Sequence, residues 1–144
     1  MRLLSEEVKG DNMNNKAEPS VDKWLEKAKK DPRAESCGMF LVHNGVVRIT
    51  PKKQVREGVE GLGKVSKIDF SYDAQGVDKA IEETLAMPGV NYVKVWLNEG
   101  QLSVGDSIMY VLVGADIRPN TIDALQHLVG TIKENYVEET EFYE

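Results

Sequence analysis

Two apolar runs in the second half of the chain, Val90 to Leu97 and Ser107 to Val113, are joined by a short link carrying Gly100 and Gly105-Asp106. A link of this kind leaves no room for the crossover helix that parallel neighbours require, so the two runs are expected to pair antiparallel. Nothing else in the sequence constrains the fold as strongly, because it argues against a repeated strand–helix–strand array with a parallel sheet.

The remaining pattern is consistent with this. Val21, Trp24, Leu25 and Ala28 recur at helical spacing after Pro19 and Ser20, with Ser20 as the expected N-cap and Asp31-Pro32 as the stop. Cys37 to Val42 and Val46 to Ile49 read as strand, interrupted at His43-Asn44-Gly45 by a tight turn or bulge. Thr50 to Gly63 holds Pro51 and three glycines among charges and is expected to be a long loop, mobile from Lys52 to Lys64. Val65 to Tyr72 alternates as a half-buried strand. Asp73 is placed to cap a helix carrying Val77, Ala80, Ile81, Thr84 and Leu85, which Met87-Pro88-Gly89 ends. A last helix is expected from about Asn120, its cap, to Asn135, with Ile122, Leu125, Leu128, Val129 and Ile132 turned inward. The expected class is α+β, a mainly antiparallel sheet with three helices. Residues 1–18, polar and aperiodic, are expected to form a flexible N-terminal extension, and residues 19–144 a single domain.

Charge narrows the function. The chain has 144 residues and a formal net charge of −6, which argues against a general nucleic-acid binder, since phosphate neutralisation requires a basic face. No apolar run reaches membrane-spanning length, and the first residues carry no apolar signal core. A single cysteine, Cys37, excludes an internal disulfide and a cysteine-cluster metal site; the expected location is the cytoplasm. The charge is nevertheless uneven. Lys52, Lys53 and Arg56 crowd one segment, whereas Glu134, Glu138, Glu139, Glu141 and Glu144 crowd the C-terminus. A local basic segment on an acidic protein points to a small-anion site.

Individual motifs sort unevenly. Gly58 to Lys64 has the glycine and lysine spacing of a phosphate-binding P-loop, but Val65 stands where the magnesium-binding hydroxyl belongs, and a strand follows where a helix should. Arg118 follows an apolar strand and precedes a helix start, a place where unpaired N–H groups and a guanidinium fork suit phosphate or carboxylate. Its plain alternative is a surface arginine pairing with Asp116 or Asp123. Lys133 lies in the last turn of the same helix, where the helix dipole alone would favour it. Arg48 ends a strand at the start of the basic segment. His43 and His127 have no partner at metal-ligand spacing, and Cys37 is expected to pack.

Taken together, these residues resemble the large, catalytic-type subunit of molybdopterin synthase. Gly100 to Asp106, followed by an apolar strand and Arg118, is similar to that family's Gly-x-Leu-x-x-Gly-Asp segment. Gly38 to Arg48 resembles its glycine-led strand ending in arginine, and Ser20 to Lys30 its N-terminal helix. The resemblance implies an α/β-hammerhead-like fold, a homodimer and a small ubiquitin-like partner subunit. The partner's C-terminal thiocarboxylate would sulfurate a cyclic pterin phosphate to give molybdopterin, with no metal or diffusible cofactor. Carried over by position, Lys133 would be catalytic and Arg48 and Arg118 would bind substrate, with Lys52, Lys53 and Arg56 as further substrate-binding cations.

Two departures stand out. Ile117 replaces the histidine expected before Arg118, and Val137-Glu138-Glu139-Thr140 replaces the segment expected to carry a second lysine. A carboxylate-rich segment in that place would oppose an anionic substrate. The expectation is therefore that Glu138, Glu139 and Glu141 lie away from any anion pocket around Arg118. The alternative function is a paralogue that binds a pterin phosphate or a ubiquitin-like tail without turnover.

Overall fold

The structure is a computed structural model and describes residues 17–144. In chain order it contains helix α1 (Val21–Lys30), a 3-10 turn (Pro32–Ala34), strand β1 (Met39–Val46), α2 (Lys52–Glu57), β2 (Val65–Tyr72), α3 (Ala74–Leu85), β3 (Val90–Leu97), β4 (Gly100–Ser103), β5 (Ser107–Ala115), α4 (Arg118–Asn135) and β6 (Val137–Tyr143). The strands form two antiparallel three-stranded sheets, in the orders β1-β5-β3 and β4-β2-β6. This is an α+β fold. Residues 1–16, most of the expected extension, lie outside the described residues; Glu18 accepts a hydrogen bond from Tyr110 Oη at 2.5 Å.

The first sheet is the core. β3 and β5 pair as the short link requires, Val95 opposite Val111 and Val93 opposite Val113, with all four side chains fully buried. On that face pack Ala124, Leu128 and Ile132 of α4 and Val77, Ala80 and Ile81 of α3. On the opposite face Trp24 of α1 meets Tyr110 edge-on at 6.3 Å between ring centroids, and Tyr110 in turn packs on Trp96. The caps on Ser20 and Asp73 form as expected: each side chain accepts from a backbone N–H in the first turn, that of Lys23 and Gln75 respectively.

Several expectations are corrected. Among the described residues there are four α-helices, not three, because the supposed loop contains α2. Its lysines, glutamine and arginine are good helix formers, and Gly58, at φ +70°, closes the helix through its N–H to Lys53 O and Gln54 O. The glycine that reads as a loop signal is a C-cap. β1 runs unbroken through His43-Asn44-Gly45, because β5 pairs each of these in turn with Val111, Tyr110 and Met109; the irregularity falls between Gly45 and Val46. α4 starts at Arg118, not Asn120. Pro119 occupies the first turn, Ile117 is the N-cap residue without a side-chain cap, and Asp116 Oδ1 accepts from Ile117 N and Asn120 Nδ2 at 2.7 and 2.8 Å.

The link between β3 and β5 contains a strand of its own, β4, which joins the second sheet. The acidic C-terminus is likewise strand, β6, paired with β2 from Tyr72–Val137 to Val65–Tyr143. Gly76 helps set where β6 departs: a Cβ there would lie 2.0 Å from the Tyr136 ring, so only glycine lets the end of α4 press against α3.

Candidate anion-binding site

Three chain segments distant in sequence converge beside the C-terminal end of α4. Arg48 follows β1. Lys52 and Arg56, four apart on α2, share a helix face. Lys133 projects from the last turn of α4, and β6 leaves that helix two residues after it ends. Alternation along β6 then sends Val137, Glu139 and Glu141 to one side. These residues, with Val46, Val47, Ile68 and Ile108, line a cavity of about 110 Å³. A second hollow of about 210 Å³ shares Val46, Arg48, Ile108, Lys133, Val137 and Glu139 and adds Gly45, Phe70 and Met109. The result is one cleft with an apolar floor and a cationic rim.

The electrostatics are mixed. Lys52 Nζ pairs with Glu139 Oε2 at 3.0 Å, and the Lys52 backbone N–H donates to the Glu141 carboxylate, the nearer oxygen at 3.1 Å. Tyr143 Oη also donates to Glu141, at 3.0 Å, and Arg48 Nε is turned to Thr50 O at 3.1 Å. Arg56 and Lys133 hold no hydrogen bond or ion pair among the described residues. Lys133 is open to solvent along its side chain. Even so, the protein mass around its amine removes enough water to push its pKa below the ordinary lysine value. Glu139 opposes that shift, and Arg56, Lys52 and Arg48 add to it by repulsion. An amine held this way bonds an incoming anion and gives up a proton more readily than a free lysine.

Of the cations singled out from sequence, the fold thus brings Arg48, Lys52, Arg56 and Lys133 together. Lys53 is exposed and does not line the cleft. Arg118 is exposed at the other end of α4, fifteen positions from Lys133 and so about 22 Å away along the helix axis. Glu139 and Glu141 line the Lys133 cleft rather than a pocket around Arg118, while Glu138 lies on a different surface beside Ser71. Sequence reasoning missed the entry of these carboxylates; the alternation of Glu139 and Glu141 was its only signal, and a glutamate-rich segment is a weak strand signal. It also missed that His43, on β1, sits with its Nε2 behind Gly45 of the cleft wall. Among the described residues no group of three His, Cys, Asp or Glu side chains is placed to hold a metal ion. No helix among them is long and apolar enough to cross a membrane.

Comparison with known proteins points one way. A family model described as "MoaE protein" matches residues 15–135. No curated protein sequence matches the chain. Among solved structures, molybdopterin synthase from Staphylococcus aureus superposes with a TM-score of 0.68 at 17% identity, covering 88% of this chain and 86% of that one. The molybdopterin biosynthesis MoaE protein from Burkholderia ambifaria superposes at 0.64 and 16% identity, over 89% and 82%. A complex of subunits 1 and 2 of the molybdopterin-converting factor from Helicobacter pylori superposes at 0.59 and 16%, over 88% and 80%. At these identities the structural likeness bears on the fold.

Proposed function

The chain belongs to the MoaE protein family, and from that premise we propose that it serves molybdenum cofactor biosynthesis as the large subunit of a molybdopterin synthase. In this reading the cleft receives a cyclic pterin phosphate and the thiocarboxylate tail of a small ubiquitin-like subunit. The convergence of Arg48, Lys52, Arg56 and Lys133 on one cavity is the observation that carries it. Replacing an oxygen on the pterin by thiocarboxylate sulfur brings together a phosphate and an acyl oxyanion, and both need cations fixed in advance. Arg48 and Arg56, with guanidinium forks, suit the phosphate. Lys133, whose amine is partly stripped of water, suits the acyl oxyanion and the proton traffic.

Arg118 is too far from Lys133 to meet the same small ligand within one chain. The proposal therefore includes a homodimer in which Arg118 of one protomer completes the Lys133 cleft of the other. The test is single-turnover conversion of the cyclic pterin precursor with a thiocarboxylated small subunit. Turnover that disappears in Lys133→Ala supports the proposal, and absence of turnover in the wild-type chain with a competent partner overturns it.

A second function is favoured by one specific observation. Glu139 and the Glu141 carboxylate already satisfy Lys52 from within the chain, so an incoming phosphate must compete with them. A protein that binds the pterin phosphate or the partner tail without turnover would tolerate this. Calorimetric binding of the pterin phosphate by a wild-type chain that fails in the turnover assay would select this reading.

A further inference from the structure

His43 lies on β1 opposite Val111 of β5, on the sheet face that α4 covers. Its neighbour two residues along, Gly45, lines the cleft together with Met109 and Lys133. A Cβ on Gly45 would stand 3.6 Å from His43 Nε2, which places that nitrogen directly behind the cleft wall. There Nε2 is shielded from water and has no hydrogen-bond partner among the described residues. A buried imidazole nitrogen with nothing to bond is uncommon, because polar groups removed from water are nearly always paired. Lys133, across the same wall, has a donor to spare: its ammonium makes no hydrogen bond or ion pair among the described residues. An unused acceptor thus lies just behind the wall of a cleft whose lining carries an unused donor, near enough for the lysine charge to act on the imidazole.

We infer that His43 is the positioning residue for Lys133, its neutral imidazole offering the Nε2 lone pair to the lysine ammonium and holding the amine at the cleft. The role rests on Lys133 acting in the cleft as proposed above, and His43 itself touches no substrate. The charges facing this pair come from every surrounding element. Arg48 stands beyond the end of β1, Lys52 and Arg56 on α2, and Glu139 and Glu141 on β6, while β5 contributes only apolar Met109 and Val111 on that face. Burial holds the imidazole below its ordinary pKa, and repulsion from Lys133 lowers it further, so at neutral pH the ring is uncharged and able to accept. Acidification charges the ring, turns the acceptor into a second cation and breaks the pairing.

The experiment follows both groups by NMR titration in the full chain, without substrate, alongside the amide spectrum as a check on folding. In Lys133→Met the His43 midpoint is expected to move upward, because the neighbouring charge is gone. In His43→Phe, which keeps ring and volume but loses the acceptor, the Lys133 midpoint is expected to fall below that of the wild type. His43→Gln, which restores an acceptor oxygen, is expected to bring it back. Midpoints that stay where they are in both Lys133→Met and His43→Phe overturn the inference, as does a Lys133 midpoint that His43→Gln and His43→Phe shift equally. These titrations need no turnover. A chain that shows the coupling yet never sulfurates the pterin defeats the sulfur-transfer proposal and leaves the His43–Lys133 pair standing.

Discussion

The two ends of α4 carry the two basic residues that stood out most in the sequence, and they have different surroundings. At the Lys133 end, β1, α2 and β6 close around the lysine and form a cleft with an apolar floor. At the Arg118 end, Asp116 already bonds the amide of the N-cap residue Ile117 and the side chain of Asn120, and Arg118 stands in solvent. A helix N-terminus with an arginine has the right partial charge for an anion, yet a carboxylate of the chain itself, Asp116, already sits beside it. The helix C-terminus has the less favourable dipole for an anion but draws four cations together. Tertiary convergence outweighs local electrostatics here, since a field becomes a site only where a cavity excludes water and several charges are fixed around it.

Substitution separates the ends most sharply. Lys133→Ala is expected to lower the rate of sulfur transfer by about 10²- to 10⁴-fold, the range of a general acid or base. Arg118→Ala is expected to raise KM by about 10- to 100-fold, the loss of one charge-assisted phosphate contact. If the two ends meet across a dimer, mixing the two variants with subunit exchange, at substrate well below the wild-type KM where each alone is nearly silent, should restore about a quarter of wild-type turnover. No recovery on mixing, with exchange shown by mass spectrometry, would separate the two ends for good.

The middle of the helix tests whether both ends share one foundation. Leu128, fully buried against the first sheet, is expected to cost about 3–5 kcal/mol on replacement by alanine, read from the urea midpoint. Phe142→Ala on the exposed side of β6 should cost less than about 1 kcal/mol. Comparable losses would mean that the second sheet is as integral to stability as the first.

A smaller effect concerns the internal carboxylates. Glu139→Gln removes the partner of Lys52 and should tighten inorganic phosphate binding at the cleft by about 3- to 10-fold at low salt, fading as salt screens it. Unchanged affinity would show that Glu139 does not compete for the cations.

The smallest effect is a difference of sign in pH dependence. At the Arg118 end, the hydrogen bond from Asn120, followed by that from the Ile117 amide, holds the Asp116 carboxyl below its ordinary value. Its folded pKa lies below the unfolded one, so it contributes stability above about pH 3.8 that is lost as pH falls through the folded value. At the other end Lys133 is also depressed, but it is a cation, so the unfolded chain binds more protons. Its charge therefore costs stability at neutral pH, and the cost is relieved as pH rises through the folded value toward 10.5. Lys133→Met should be more stable than the wild type at pH 7, with the gap closing in alkali. Asp116→Asn should be less stable at pH 7, with the gap closing in acid. Denaturation midpoints against pH for both variants would reveal a wrong sign at either end.

Legibility followed the same division. The β3–β5 hairpin, α1 with its Ser20 cap and α3 with its Asp73 cap were readable because their signals are local: apolar period, a capping side chain, a short link. β1 was read as broken because His43-Asn44-Gly45 looks like a turn until β5 supplies its ladder. α2 was hidden because Gly58 signals a loop when seen without the helix it caps. β6 was hidden because its glutamates disfavour strand, and only pairing with β2, sixty-five or more positions away, makes it one.

By itself, then, the sequence determined the α+β class and the inward faces of α1 and α3, because periodicity is a local property of the chain. On α4 the expected face held at Leu128 and Ile132 but missed Thr121 and Ala124. Residue chemistry with the family resemblance marked Arg48, Lys52, Lys53, Arg56, Arg118 and Lys133 as cations to watch. Tertiary structure alone decided that Arg48, Lys52, Arg56 and Lys133 surround one cleft and that Lys53 and Arg118 do not. It also placed Glu139 and Glu141 among the cations and the His43 imidazole behind Gly45 of the cleft wall. Those relations depend on the long-range registers of β1 with β5 and of β6 with β2, which are set by what the whole core buries.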